Sequence, residues 1–294
     1  MHTEATIAVL SGKGGTGKTT VASAFIKLSD ARAYADCDVD APNLHLVMGT
    51  YGQEQKKDYM GLPKAVIDPD MCISCNKCFE VCRFDAIKPG NPYEVIPIAC
   101  EGCNYCIHVC PVEAIHSEEA KVGDLKLLKR KDEVFSTATL LMGRGTTGKL
   151  VSEVKNQLKE VSNEHDVAIL DGSPGIGCPV TASLSGVSLA LMVAEPSVSG
   201  LADLKRVLAS ARQLQVPVAV IVNKHDSNEC KSAEIEVYCY KEGVPFLGKI
   251  PYDKMALEAI NSNRTLVEMN SKGAEAIKTI YEKTLRLMKE RIHT

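Results

Sequence analysis

Two groups of residues in this chain have types and spacings suited to chemistry. Ser11-Gly12-Lys13-Gly14-Gly15-Thr16-Gly17-Lys18-Thr19-Thr20 fits the pattern G-x-x-x-x-G-K-[ST] through Gly12, Gly17, Lys18 and Thr19. Its glycines let backbone N–H groups converge on phosphate oxygens, and a following helix adds the positive end of its dipole. Lys18 reaches the outer phosphates and Thr19 can ligate Mg²⁺. The run from Gly12 to Thr20 is therefore the expected nucleotide-binding loop. The second group is eight of the twelve cysteines, all between Cys72 and Cys110. Cys72, Cys75, Cys78 and Cys82 recur 28 positions later (72 to 100, 75 to 103, 78 to 106, 82 to 110). The flanks repeat too, Asp85-Ala86-Ile87 being answered by Glu113-Ala114-Ile115. Disulfide frameworks suit small secreted chains, so thiols clustered in a chain of this kind favour metal. Zinc is the plain alternative, since C-x-x-C pairs bind it. The run C-x₂-C-x₂-C-x₃-C, given twice, is more specific for iron and sulfur.

Lys13 adds a second cation inside the loop, and here the stretch resembles the deviant Walker A group of P-loop ATPases, which includes MinD, ParA, Mrp and the nitrogenase iron protein. The resemblance implies an ATP-dependent homodimer in which Lys13 reaches the partner's nucleotide, a built-in equivalent of an arginine finger beside the catalytic Lys18. It extends to Asp36-Cys37-Asp38-Val39-Asp40-Ala41-Pro42-Asn43-Leu44, which looks like switch I. Asp38 best matches the residue that orients attacking water, while Asp36 and Asp40 could face either Mg²⁺ or solvent. Asp166-Val167-Ala168-Ile169-Leu170-Asp171 resembles Walker B, and Asp171 would hold Mg²⁺ through water, with Thr19 and Asp38 as its other protein partners. Gly172-Ser173-Pro174-Gly175-Ile176-Gly177 resembles switch II. Asn223-Lys224-His225-Asp226 matches the N-K-x-D base-reading motif of GTPases and raises guanine as an alternative. The whole-chain resemblance favours ATP, with Asn223 and Pro251 near the base and Ile250-Pro251-Tyr252-Asp253 closing over it.

The cysteine repeat resembles a bacterial ferredoxin with two [4Fe–4S] clusters. In that pattern three cysteines wrap one cube and the fourth reaches the other. The implied ligands are Cys72, Cys75, Cys78 and Cys110 for the first cluster, and Cys82, Cys100, Cys103 and Cys106 for the second. Arg83 stands where the pattern has proline, a departure that removes no ligand.

The elements that must position these groups alternate as strand, helix, strand. Ile7-Ala8-Val9-Leu10 is a buried-strand pattern leading into the loop, and Val21, Phe25 and Leu28 mark the helix behind it. Leu189–Ala194 and Val216–Val222 read as further buried strands, with a helix around Gly200–Leu208 between them. The expected fold class is α/β: a P-loop NTPase with a mostly parallel doubly wound sheet, interrupted by an inserted small α+β ferredoxin-like domain. The expected division is 1–60 and 120–294 for the ATPase and 61–119 for the insert.

Four other features carry weaker expectations. Gly143-Arg144-Gly145-Thr146-Thr147-Gly148-Lys149-Leu150 imitates a second P-loop, but Leu150 replaces the Mg²⁺-binding hydroxyl, so it reads as a loop capping a helix from Leu150. Cys178 follows the switch II-like loop. In the nitrogenase iron protein a cysteine there helps hold a shared cluster, but the second ligand of that pattern is missing, with Leu141-Met142 preceding Gly143. Cys230 and Cys239 are not the C-x-x-C that Mrp-type carriers use. The stripe Ile277, Ile280, Tyr281, Leu285, Met288, Ile292 follows helical spacing, and packing on the sheet explains it better than membrane contact.

A net charge of −3 gives no reason to expect nucleic acid as a partner. No signal-peptide pattern opens the chain and no run of about 18 apolar residues occurs, so the expected location is the cytoplasm. The expected function is an Mg²⁺-dependent ATPase coupled to electron transfer from its two clusters to a redox partner. The alternatives are delivery of a cluster to an acceptor protein, or a positioning ATPase of the ParA/MinD kind.

Overall fold

In the computed structural model, residues 5–49, 52–141, 147–162 and 167–292 are described. Met142 to Thr146 and Asp166, which belong to two of the motifs above, lie outside the described residues.

Short apolar runs make the central strands, and periodic segments between them make helices. In chain order the elements are β1 (Thr6–Ser11), α1 (Lys18–Ser29), β2 (Ala33–Asp36), α2 (His45–Met48), β3 (Gln53–Met60), β4 (Lys64–Ile67), α3 (Lys77–Val81), β5 (Ile87–Lys88), β6 (Glu94–Val95), α4 (Tyr105–Val109), β7 (Ile115–Glu118), β8 (Lys121–Arg130) and β9 (Glu133–Leu140). They continue as α5 (Thr147–Val161), β10 (Ala168–Pro174), α6 (Cys178–Leu184), β11 (Leu189–Ala194), α7 (Val198–Gln213), β12 (Val218–Asn223), α8 (Glu229–Lys241), β13 (Phe246–Ile250), α9 (Met255–Asn261) and α10 (Lys272–Ile292).

The chain divides into two compact units. One comprises Met1–Lys56, Leu125–Thr139 and Thr147–Thr294, and the other Lys57–Asp124 with Leu140–Thr146.

A nine-stranded sheet runs in the order β13-β12-β11-β1-β10-β2-β9-β8-β3, and the first unit holds its strands from β13 through β2. Pairing from β13 through β9 is parallel. A parallel sheet covered on both faces needs strands that are apolar on both sides, and β1, β11 and β12 are such runs. Side chains alternate along β1. Ile7 and Val9 share a buried cluster with Phe25 of α1 and with Ile277 and Ile280 of α10. Ala8 and Leu10 point to the other face, where Leu10 crosses Gly172 so closely that a Cβ there would meet its Cδ2 at 2.3 Å. The stripe along α10 is therefore spent on the sheet: Ile277, Ile280 and Met288 are buried and Tyr281 packs against the same cluster. Among the described residues no helix is long and apolar enough to cross a membrane.

Two small antiparallel sheets, β4–β7 and β5–β6, belong to the second unit. The 28-residue repeat is visible in its backbone. Asn76 (φ 69°) and Asn104 (φ 60°) precede α3 and α4 in the same left-handed form. Cys82 (φ −73°, ψ 115°) and Cys110 (φ −74°, ψ 112°) end those helices in the same extended form. Asparagine adopts the left-handed region at small cost, which suits it to both positions. The unit's buried cluster is Ala65, Ile67, Cys78, Ala86, Ile87, Cys100 and Ile115, with Cys72, Cys82, Cys106 and Cys110 packed against it.

Candidate functional site

The glycine-rich loop joins β1 to α1 at the carboxyl end of the parallel strands, where a doubly wound sheet places its ligands. Gly15 (φ 77°) and Gly17 (φ 91°) turn the loop through the left-handed region. A side chain at Gly17 would also strike Asn223 Nδ2 at 2.2 Å. Asn223 Nδ2 donates to the Thr16 carbonyl (2.7 Å) and Lys224 Nζ to the Gly15 carbonyl (2.8 Å), so the end of β12 braces the loop from below. A cleft of about 710 Å³ opens above it, with Gly14, Lys18, Thr19, Asp38, Asn223 and Pro251 among its walls. Asp226, the last residue of the N-K-x-D match, accepts the backbone N–H of Tyr252 at 2.7 Å and so anchors the 250–253 loop.

The floor of the cleft is a compact charge cluster. Lys18 Nζ lies 2.5 Å from Asp171 Oδ1, and both side chains are almost wholly buried. Burial opposes the Lys18 charge, but Asp171, with Asp36 and Asp38 behind it, outweighs burial and raises the ammonium pKa above its ordinary value. The Thr19 hydroxyl lies 2.6 Å from Asp171 Oδ2 and 3.0 Å from Asn43 Oδ1, two acceptors competing for one proton. A hydroxyl, a carboxylate and an amide oxygen converging at a phosphate loop form an oxygen donor set suited to Mg²⁺. Asn43 sits in the Asp36–Leu44 motif, but no spacing rule singles it out.

The three carboxylates of the switch I-like segment separate clearly. Asp40 is exposed, Asp38 is half-buried on the cleft wall, and Asp36 is fully buried. Burial and then the neighbouring Asp171 charge push the Asp36 carboxyl up to about 7, against the pull of its backbone hydrogen bonds and Lys18. Burial also raises Asp38, with Lys18 pulling the other way. The Ser173 hydroxyl donates to the Cys37 carbonyl at 2.5 Å, which ties the two switch-like loops together.

Lys13 is turned onto its own chain. Its ammonium lies 3.2 Å from Glu195 Oε2 and 3.4 Å from the Ser199 hydroxyl at the start of α7. Glu195 could have been noticed as a carboxylate just past a buried strand, on the ligand-bearing edge of the sheet.

The eight cysteines line two recesses. One is walled by Cys72, Cys75, Cys78 and Cys110, with Ile67 and Tyr93. The other is walled by Cys82, Cys100, Cys103 and Cys106, with Phe84 and Ile87. Each recess thus takes three sulfurs from one loop and one from the helix end of the other half. Burial pushes the Cys106 thiol up to about 11 and raises Cys78. Coordination to iron would remove those protons outright. The donor set, four soft sulfurs facing a small apolar recess twice over, fits a thiolate-held cluster. Among the described residues no three His, Cys, Asp or Glu side chains stand close enough together to hold a single metal ion. Lys64 Nζ donates to the Cys100 carbonyl, a support for the second loop that no motif announces.

The remaining cysteines are placed simply. Cys178 is exposed at the first turn of α6, against Gly148 of α5, where a Cβ would meet the Cys178 Cβ at 3.0 Å. That helix begins at Thr147 rather than Leu150, and Leu150 is a core residue. Cys230 is exposed on α8 and Cys239 is buried there.

Comparison with known proteins agrees with this geometry. The model of the CobQ/CobB/MinD/ParA nucleotide binding domain matches residues 7–267. The chain is 33% identical over 286 residues to an uncharacterized protein of Methanocaldococcus jannaschii, covering 94% of this chain and 95% of that one. It is 25% identical to the iron-sulfur cluster carrier protein of Pyrococcus horikoshii, covering 97% and 86%. Among solved structures it resembles the septum site-determining protein MinD of Pyrococcus horikoshii, complexed with Mg-ADP, with a TM-score of 0.59, 20% identity and 97% of each chain covered. The fold is thus an α/β P-loop NTPase fold with a large, mostly parallel sheet, and the chain belongs to the CobQ/CobB/MinD/ParA nucleotide-binding family of P-loop ATPases.

Proposed function

We propose that this protein is a cytoplasmic, Mg²⁺-dependent ATPase that couples ATP binding and hydrolysis, through a homodimer, to electron transfer from two [4Fe–4S] clusters to a partner protein. One observation carries the reading: the two recesses are lined by the same two sets of four cysteines that the ferredoxin resemblance assigns, including the exchange of Cys82 and Cys110. Residues 61–119 would be the inserted ferredoxin-like domain. Cys72, Cys75, Cys78 and Cys110 would hold one cluster, and Cys82, Cys100, Cys103 and Cys106 the other. Such clusters supply one-electron redox chemistry when bound.

In the nucleotide site each residue has a stated part. Lys18 would leave Asp171 for the outer phosphates, freeing Asp171 to hold Mg²⁺ through water beside Thr19 and Asp38. Asp38 would also orient the attacking water. The backbone N–H groups from Gly12 to Thr20 would cradle the phosphates, and Pro251 and Asn223 would border the base. Lys13 would exchange Glu195 and Ser199 for the partner protomer's nucleotide.

The test is Lys13→Gln in anaerobically prepared protein. We expect loss of ATP-stimulated electron delivery to a dye or protein acceptor, and loss of the ATP-induced dimer in sedimentation. Delivery unchanged at saturating ATP would end the coupling proposal. A second reading, cluster delivery, is favoured by the similarity over 97% of the chain to proteins named as iron-sulfur cluster carriers. There the clusters would be cargo, and labile iron would pass to an apo-acceptor and leave the donor depleted. Fully retained but redox-silent clusters would point instead to a positioning ATPase.

A further inference from the structure

Among the three switch carboxylates, Asp36 is arranged for a task other than meeting a ligand. It ends β2, fully buried. Its Oδ1 accepts the backbone N–H of Asp38 at 3.0 Å. Its Oδ2 accepts the N–H groups of Asn43 at 2.8 Å and Leu44 at 2.9 Å. Three amides from one loop therefore converge on one carboxylate. The loop they belong to carries Asp38 on the cleft wall and Asn43 beside the Thr19 hydroxyl. Three backbone N–H groups held by one buried side chain give this loop a fixed form before nucleotide arrives. No asparagine could repeat the arrangement, because its one oxygen replaces two and its NH₂ would face an incoming N–H.

We infer that Asp36 is a positioning residue for hydrolysis: it clamps residues 38–44 so that Asp38 and Asn43 face the phosphates and metal, without itself touching either. The inference rests on the reading of Asp38 as the residue that orients water. Misplacing such a group by about 1 Å costs on the order of 100-fold in rate.

Asp36→Asn in the full chain, assayed with ATP and Mg²⁺, should lower kcat by about 10- to 100-fold while changing KM and the Mg²⁺ requirement by less than about threefold. The double variant Asp36→Asn/Asp38→Asn should lose little beyond Asp38→Asn alone, since both would act through one group. An unchanged kcat, fully additive losses, or loss of Mg²⁺-dependent nucleotide binding would each overturn the inference, the last by making Asp36 a metal ligand. Hydrogen exchange on the unaltered protein decides the structural half without any variant. The Asp38, Asn43 and Leu44 amides should be protected, and exchange as fast as at exposed Asp40 would refute the clamp. If Asp38→Asn hydrolysed ATP normally, the reading of Asp38 would fall, and amide exchange would still settle whether Asp36 holds the loop.

Discussion

The two units of this chain solve the same problem with different materials. In the larger one, aliphatic side chains on a parallel sheet, such as Ile7, Val9, Leu189 and Leu191, bury themselves against α1 and α10, and polar groups are added at the strand ends. The functional residues there rest on a core that exists without them. In the smaller unit the candidate ligands are part of the core: Cys78 and Cys100 are buried with Ala65, Ile67, Ala86, Ile87 and Ile115, and four more cysteines pack beside them. Two-stranded sheets are marginal alone, and a small domain with so little aliphatic burial needs a staple. Lys18 can lose its nucleotide and keep Asp171, whereas eight thiols without a bound cluster are left lining two small recesses.

The largest expected effect follows from that contrast. If the smaller unit holds the proposed clusters, removing iron anaerobically with a chelator should unfold residues 57–124, because metal binding in a small domain is coupled to its folding. Limited proteolysis should then cut within Lys57–Asp124, while ATP binding by the larger unit survives. A chelated protein whose smaller unit stayed protease-resistant would show a core that stands by itself, and the contrast would be broken.

How much of this was legible beforehand follows the same division. The loop from Gly12 to Thr20 and the two cysteine sets could be read because each depends on backbone form or ligand reach at fixed local spacing. Asp171 could be read because a carboxylate closes the apolar run 167–170, although β10 itself continues to Pro174. The bracing of the loop by Asn223 and Lys224 was not legible, since those residues lie about 200 positions away and meet it only through sheet order. Nor was the sorting of Asp36, Asp38 and Asp40: alternate residues at a strand end look alike until packing decides which one is buried. The start of α5 at Thr147 was missed because the glycine-rich imitation before it suggested a longer loop. Strands β3, β8 and β9 were missed for a third reason. β3 and β8 carry charged, partly or largely exposed sequences such as Gln53–Met60, and β9 mixes hydroxyl residues into its buried middle, so none has the apolar run that marks the central strands.

A finer blow to the smaller unit would test how its halves are joined. Cys82 belongs to the first loop in sequence, but it lines the recess of Cys100, Cys103 and Cys106. Cys82→Ser should therefore spare the cluster of its own loop and damage the other, lowering iron content toward roughly half with one of two spectroscopic signals retained. Loss of the signal belonging to Cys72, Cys75 and Cys78 would mean that each loop closes on itself, and the exchange of ligands between halves would be wrong.

The smallest effect belongs to the larger unit, and its value lies in being graded. Ser197 caps α7, its hydroxyl accepting the Gly200 N–H at 3.0 Å. The cap is tightly built: a Cβ at Gly200 would lie 2.1 Å from the Glu195 carbonyl oxygen, so glycine is required there. Ser197→Ala removes one accepted hydrogen bond and leaves the buried residues of α7, among them Leu204 and Leu208, in place. Such substitutions cost about 1 kcal/mol, a fall in Tm of about 2–4 °C for a domain of this size. ATP binding should be retained, and so should the iron signals of the smaller unit. A core of many independent apolar contacts gives way by increments, because no single group holds the rest. A calorimetric scan showing instead that this one hydroxyl abolishes folding would place the larger unit beside the smaller one, as a structure hung on a few polar groups.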